Sequence, residues 1–98
     1  MLVAGATGPE DAARLRAAAQ EALFLVPGYG AQGAGPRDAM ASFVKGPAGL
    51  EGGVINASRS VSMPEAAKTA RDGEAWYHAV SNAIEAAQAE LVAARAGD

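Results

Sequence analysis

Three short apolar runs constrain the fold most: residues 2–4, 23–26 and 54–55. Each is bounded by Gly, Pro, Asn or Ser, as buried strands are. None alternates polar with apolar residues, which is the pattern of strands covered on both faces in a parallel sheet. Parallel neighbours need crossover connections, and these are right-handed. The first run is followed by "TGPEDAARLRAAAQEA". Thr7 is predicted to cap a helix there, with Pro9 in its first turn and Glu10 completing a T-x-x-E capping box. Ala12, Leu15 and Ala19 then share its apolar face. The third run leads into "SMPEAAKTARDG", where Ser62, Pro64 and Glu65 repeat the signal and Gly73 is a stop. Residues 37–44 read as a short helix, and "KGPAGLEGG" (45–53) as a loop returning to the third run.

Segment 74–95 is predicted to be a helix of about six turns. Tyr77, Val80, Ile84, Ala87, Leu91 and Ala94 recur along it at spacings of three and four. Such a stripe packs either on the chain's own sheet or on a partner. Two alanines in a short seam favour the first over a coiled coil. The expected fold class is therefore α/β, a parallel βαβαβα segment.

The chain has 98 residues, and half are apolar only because alanine is so frequent. One domain is the most that this length suggests. A core built largely of alanine removes little apolar area from water. The net charge of −3 and the lack of any basic run argue against a nucleic-acid partner. There is no cysteine for a disulfide or thiolate metal site. The first residues lack the positive and apolar regions of a secretion signal, and no segment is long and apolar enough to span a bilayer. A cytoplasmic setting without membrane contact is expected.

Chemistry on a parallel sheet is carried by the loops after the strands' C-terminal ends. The second such loop belongs to "FLVPGYGAQGAG", residues 24–35. Its glycines permit positive φ and let backbone N–H groups approach a ligand closely. Gln32 adds a neutral amide donor. The third run ends in "NASRSV", where Arg59 offers a planar fork of donors suited to phosphate, flanked by Ser58 and Ser60. Gln32 and Arg59 on neighbouring loops are candidates to converge on one phosphate. Read singly, the glycine stretch is a turn and the arginine a surface residue. Tyr29 either flanks a ligand or packs the loop. His78 lies on the terminal helix, away from these loops. Glu10, Asp11, Asp38 and Glu65 suit helix starts. No HExxH, GxSxG, P-loop or metal-spaced cluster occurs.

"VAGAT.PE", "FLVPGYGAQGAG" and "GGVINASRSV" together resemble the closing part of orotidine 5′-phosphate decarboxylases, above all the bacterial subfamily with "PG-x-GAQGG" and "NSSRG". The resemblance covers nearly the whole chain, 1–98. It implies that the three runs are the last three strands of a (β/α)8 TIM barrel. It also implies substrate-binding roles for Pro27, Gly28, Gly30, Gln32, Arg59 and Ser60. Gln32 and Arg59, helped by backbone N–H groups near Gly30, Arg59 and Ser60, would hold the 5′-phosphate of orotidine 5′-phosphate or of the product, uridine 5′-phosphate. Pro27 would stand near the pyrimidine. No cofactor or metal is implied.

Two departures stand out. Ser60 replaces the glycine frequent after the arginine. The family's D-x-K-x-x-D catalytic cluster is absent, and the only lysines, Lys45 and Lys68, lie in no such pattern. The chain therefore holds no catalytic residue of that family, and alone it is expected to be inactive. The implied partners are the missing N-terminal barrel portion or a second copy. An interaction module docking through the terminal helix is the alternative. The open section of barrel is expected to expose two sheet edges and an inward row of Val3, Leu25 and Ile55, leaving the chain marginally folded or self-associating.

Overall fold

A computed structural model describes residues 1–30 and 34–96. The elements run in the order β1 (Leu2–Val3), α1 (Pro9–Ala18), β2 (Phe24–Val26), α2 (Pro36–Ala39), β3 (Val44–Gly46), β4 (Gly49–Glu51), β5 (Gly53–Ile55), α3 (Arg59–Ser62), α4 (Glu65–Lys68) and α5 (Gly73–Arg95). The three apolar runs form a parallel sheet of order β1-β2-β5, as their lack of alternation implied. Leu2 pairs with Phe24 and Val3 with Leu25; Phe24, Leu25 and Val26 pair with Gly53, Val54 and Ile55. The chain is a mixed α/β structure in which one sheet is parallel throughout.

That register separates two faces. Phe24, Val26 and Ala4 are buried on one, with Ile55 packed beside them. Alanines of α1, of α2 and of the strand-end loops complete this core, and Ala87 and Leu91 of α5 close over it. Val3, Leu25 and Val54 stand in register on the opposite face, where Val3 is 62% and Val54 49% exposed. The uncovered row is thus Val3, Leu25 and Val54. Ile55 belongs to the covered face instead, because one step along a strand reverses the side chain.

Several local expectations are corrected. Thr7 does not cap α1: the cap is Gly8, without a side-chain hydrogen bond, because Pro9 takes the first helical position. Within α1 the buried residues are Ala12 and Arg16, while Leu15 is exposed. The helix expected over 37–44 stops at Ala39, and Val44 turns into a strand paired with Glu51. Residues 45–53 are not a plain loop. They carry most of the antiparallel β3–β4 hairpin and then enter β5. The helix expected from Ser62 is the single turn α4, while Ser62 closes the preceding turn α3; Pro64 has no N–H to donate and drives Met63 out of helical geometry. Helix α5 forms as expected and is capped by Asp72, whose carboxylate accepts from the Ala75 N–H at 2.8 Å. Val80, Ala87, Leu91 and Ala94 are half-buried along it, whereas Tyr77 and Ile84 face outward.

Arg16 ties these parts together. Its Nε donates to the Ser42 carbonyl at 2.5 Å. Its Nη1 donates to Ala19, Gln20 and Ala22 at 3.2, 2.9 and 2.8 Å, and its Nη2 to Gly52 at 3.0 Å. The guanidinium lies over the Phe24 ring, 4.1 Å from its centroid. Gly52 has φ +98°, and a Cβ there would stand 3.0 Å from Arg16 Nη2. Replacing Arg16 by Met leaves several carbonyls without their charged donor, and should lower stability by about 3 kcal/mol or more. Urea unfolding followed by circular dichroism measures this; an unchanged midpoint contradicts the clamp.

Candidate functional site

All three sheet strands are parallel, so the loops that follow them leave from one end. Pro27 begins the second loop, and its carbonyl accepts from the Ala6 N–H of the first at 2.8 Å. Gly28 and Gly30 take positive φ, 93° and 85°, on either side of Tyr29. These conformations would strain any other residue. Tyr29 pairs in a bridge with Ala34, and the Gly30 N–H donates to the Ala34 carbonyl at 3.2 Å. That amide is therefore spent inside the turn. Gln32, the other expected phosphate ligand of this loop, lies outside the described residues.

Arg59 and Ser60 sit in the first turn of α3 rather than in an extended loop. Their N–H groups have no acceptor within that helix, as at any helix start, and Ser58 contributes no side-chain cap. Among the described residues the exposed Arg59 side chain has no hydrogen-bond or ion-pair partner. Ser60 meets the glycine turn directly. A Cβ added to Gly30 would fall 2.7 Å from Ser60 Oγ and 3.0 Å from its Cβ. The glycine spacing thus has a packing reason besides conformational freedom. The structure brings Pro27, Gly28, Gly30, Arg59 and Ser60 to the same end of the sheet.

Beneath this contact lies a cavity of about 260 Å³, walled by Tyr29, Gly30, Ser60, Ala87 and Glu90 among others. Of the two roles open to Tyr29 from its sequence context, packing is the one observed, and Glu90 carries no local signal that marks it. Tyr29 is buried in the core, and its hydroxyl donates to Glu90 Oε2 at 2.5 Å across 61 positions of sequence. Burial, then the hydrogen bond and the negative charge of Glu90, push the phenol from 10 up to about 12. His78 is exposed on α5 beside Glu74 and outside this group. No group of three or more potential metal ligands occurs among the described residues. Nor is any of their helices long and apolar enough to cross a membrane.

The chain is similar over most of its length to a C-terminal portion of orotidine 5′-phosphate decarboxylases. It is 40% identical over 81 residues to the orotidine 5′-phosphate decarboxylase of Halorubrum lacusprofundi, covering 78% of this chain and 28% of that protein. The enzyme of the same name from Clostridium kluyveri is 39% identical over 75 residues, 76% of this chain and 24% of its own. That of Deinococcus radiodurans is 49% identical over 59 residues, 60% of this chain and 21% of its own. The chain thus spans about a quarter of the length of these curated relatives. No family model matches it, and no solved structure does.

Two outcomes test the geometry. Gly30→Ala should cost more than about 1 kcal/mol, because it adds a clash to the strain of positive φ. Ser60→Gly in the same chain should recover only the clash. The Tyr29 phenol has a raised folded pKa, so the stability it contributes is complete below pH 10 and is lost as pH rises through about 12. Alkaline unfolding should therefore start at lower pH in wild type than in Tyr29→Phe, when each is compared with its own stability at pH 8.

Proposed function

We propose that this chain is the phosphate-holding portion of an orotidine 5′-phosphate decarboxylase. In this reading β1, β2 and β5 are the last three strands of a (β/α)8 barrel, and Gln32 and Arg59 hold the 5′-phosphate of orotidine 5′-phosphate or uridine 5′-phosphate. The N–H groups of Arg59 and Ser60 add donors, and Pro27 stands at the pyrimidine side. The Gly30 amide, engaged by Ala34, is left out of the donor set. The observation that carries the reading is the meeting of Gly30 with Ser60, beside an Arg59 without a partner among the described residues, inside a stretch 40% identical to such an enzyme.

The reaction releases carbon dioxide from the pyrimidine and returns a proton to the same carbon. It needs a proton donor and fixed charges around the reacting carbon. Lys45 lies on β3 and Lys68 on α4, where it pairs with Glu65 at 3.0 Å, so neither belongs to the strand-end loops. The chain therefore binds, and a partner supplies the chemistry. The uncovered row of Val3, Leu25 and Val54 supports a partner that completes the sheet; a cytoplasmic setting and chemistry without a cofactor belong to the same proposed reading.

A second reading rests on Trp76 and Tyr77, 50% and 63% exposed near the start of α5: an interaction module that docks through this helix. The two readings are separable. In a protein assembled with the remaining barrel, Arg59→Ala should weaken uridine 5′-phosphate binding by about 2–4 kcal/mol, as for one partner of a charged pair. Replacing Trp76 and Tyr77 by polar residues should leave that binding intact. The chain alone should leave orotidine 5′-phosphate absorbance unchanged; loss at an enzymatic rate contradicts the division of labour.

A further inference from the structure

A turn with glycines on both sides of one residue has little stiffness of its own. Gly28 and Gly30 each lose more backbone freedom on ordering than another residue would. What fixes this turn comes from elsewhere. The Tyr29 ring is 5% exposed and wedged into the core, and its hydroxyl reaches Glu90 on α5. The rest of the α5 wall facing the turn is alanine: Ala83, Ala86 and Ala87. Methyl groups bordering a 260 Å³ cavity cannot hold the turn by shape. Among the described residues, the Tyr29–Glu90 hydrogen bond is the polar link between the glycine turn and the terminal helix.

We propose that Glu90 is a positioning residue: through the Tyr29 hydroxyl it latches the Gly28–Gly30 turn to α5 and so sets where Gly30 stands against Ser60. The significance for phosphate binding rests on the reading above, but the latch itself does not. Glu90 lies one position before Leu91, which packs on the core, so the carboxylate is carried by a seated part of the helix. A hydrogen bond from a buried phenol to a carboxylate is charge-assisted and directional, which suits it to orient a turn whose glycines leave the backbone loose on either side of the packed ring.

The test uses the full 98-residue chain, labelled with nitrogen-15, as wild type, Glu90→Ala, Glu90→Gln and Tyr29→Phe. Glu90→Ala and Tyr29→Phe should move the Gly28, Gly30 and Ser60 amide resonances in a shared pattern. The Gly52 and Ala22 amides at the Arg16 clamp should stay in place. Glu90→Gln keeps an acceptor and should restore most of the wild-type pattern. The Tyr29 phenol, followed by ultraviolet absorbance, should ionise at lower pH in Glu90→Ala. Unmoved Gly28 and Gly30 amides in both latch variants overturn the proposal. So do shifts spread evenly over the chain, or a wild type whose glycine amides sit at random-coil positions, since the turn then has no fixed place to be set. Uridine 5′-phosphate is added last. It should move the Ser60 amide in wild type and need about tenfold more ligand in Glu90→Ala, the worth of one hydrogen bond. A wild type that ignores the nucleotide counts against the phosphate reading, while the unliganded spectra decide the latch.

Discussion

The Arg16 guanidinium holds the covered side of this molecule together. It is 7% exposed and has no carboxylate beside it among the described residues. Its charge is met by carbonyl dipoles from the end of α1, the segment leading to β2, the turn before β3 and the turn before β5. A buried charge is costly unless it is hydrogen-bonded, and here the guanidinium reaches five carbonyls, one through Nε, three through Nη1 and one through Nη2. The Ala19 and Gly52 carbonyls also accept from the Ala22 and Phe24 N–H groups, whereas those of Gln20, Ala22 and Ser42 have Arg16 as their donor among the described residues. Two problems, an isolated cation and several orphan carbonyls, solve each other. This matters more here than in an ordinary domain, because the apolar core is mostly alanine around Phe24 and Val26.

How much of this could be read from the chain follows from the range of each interaction. The apolar runs announced the parallel sheet because their pattern is local. The three-and-four spacing from Tyr77 to Ala94 announced α5 for the same reason, although Gly73, read as the stop of the preceding helix, is the first residue of α5 and Asp72 its cap. Arg16 was missed because a helix face is assigned by periodicity, and periodicity favoured Leu15. Only the distant carbonyls of Ser42 and Gly52 make the neighbouring position the buried one. The hairpin was missed because "KGPAGLEGG" spells turn signals over most of its length. Its strands are only three residues each, too short to show alternation. At the candidate site, the residue types suited to phosphate were legible at Arg59 and Ser60. The Tyr29–Glu90 contact was not, since nothing local links residues 61 positions apart.

The two faces of the sheet divide the molecule's work. Parallel sheets are ordinarily covered on both sides. Here Phe24, Val26 and Ile55 lie in or against the core, while on the other face Val3 and Val54 are exposed and Leu25 between them is half-buried. Among the described residues, the contacts that position the strand-end loops lie on the covered side or at the sheet end: the Ala6–Pro27 bond, the Gly30–Ser60 contact and the Tyr29–Glu90 bond. The arrangement of Pro27, Gly28, Gly30, Arg59 and Ser60 therefore does not depend on what covers the other face. Further strands, in the proposed decarboxylase reading, would pair at the sheet edges and close a barrel over this face, with side chains that reach the substrate from the opposite side. In the proposed decarboxylase reading, the grip on the phosphate and the groups that act on the pyrimidine then belong to separable parts of the structure. A chain that carries the first without the second is physically coherent: it retains the hydrogen bonds that shape the grip and leaves the chemistry to its complement.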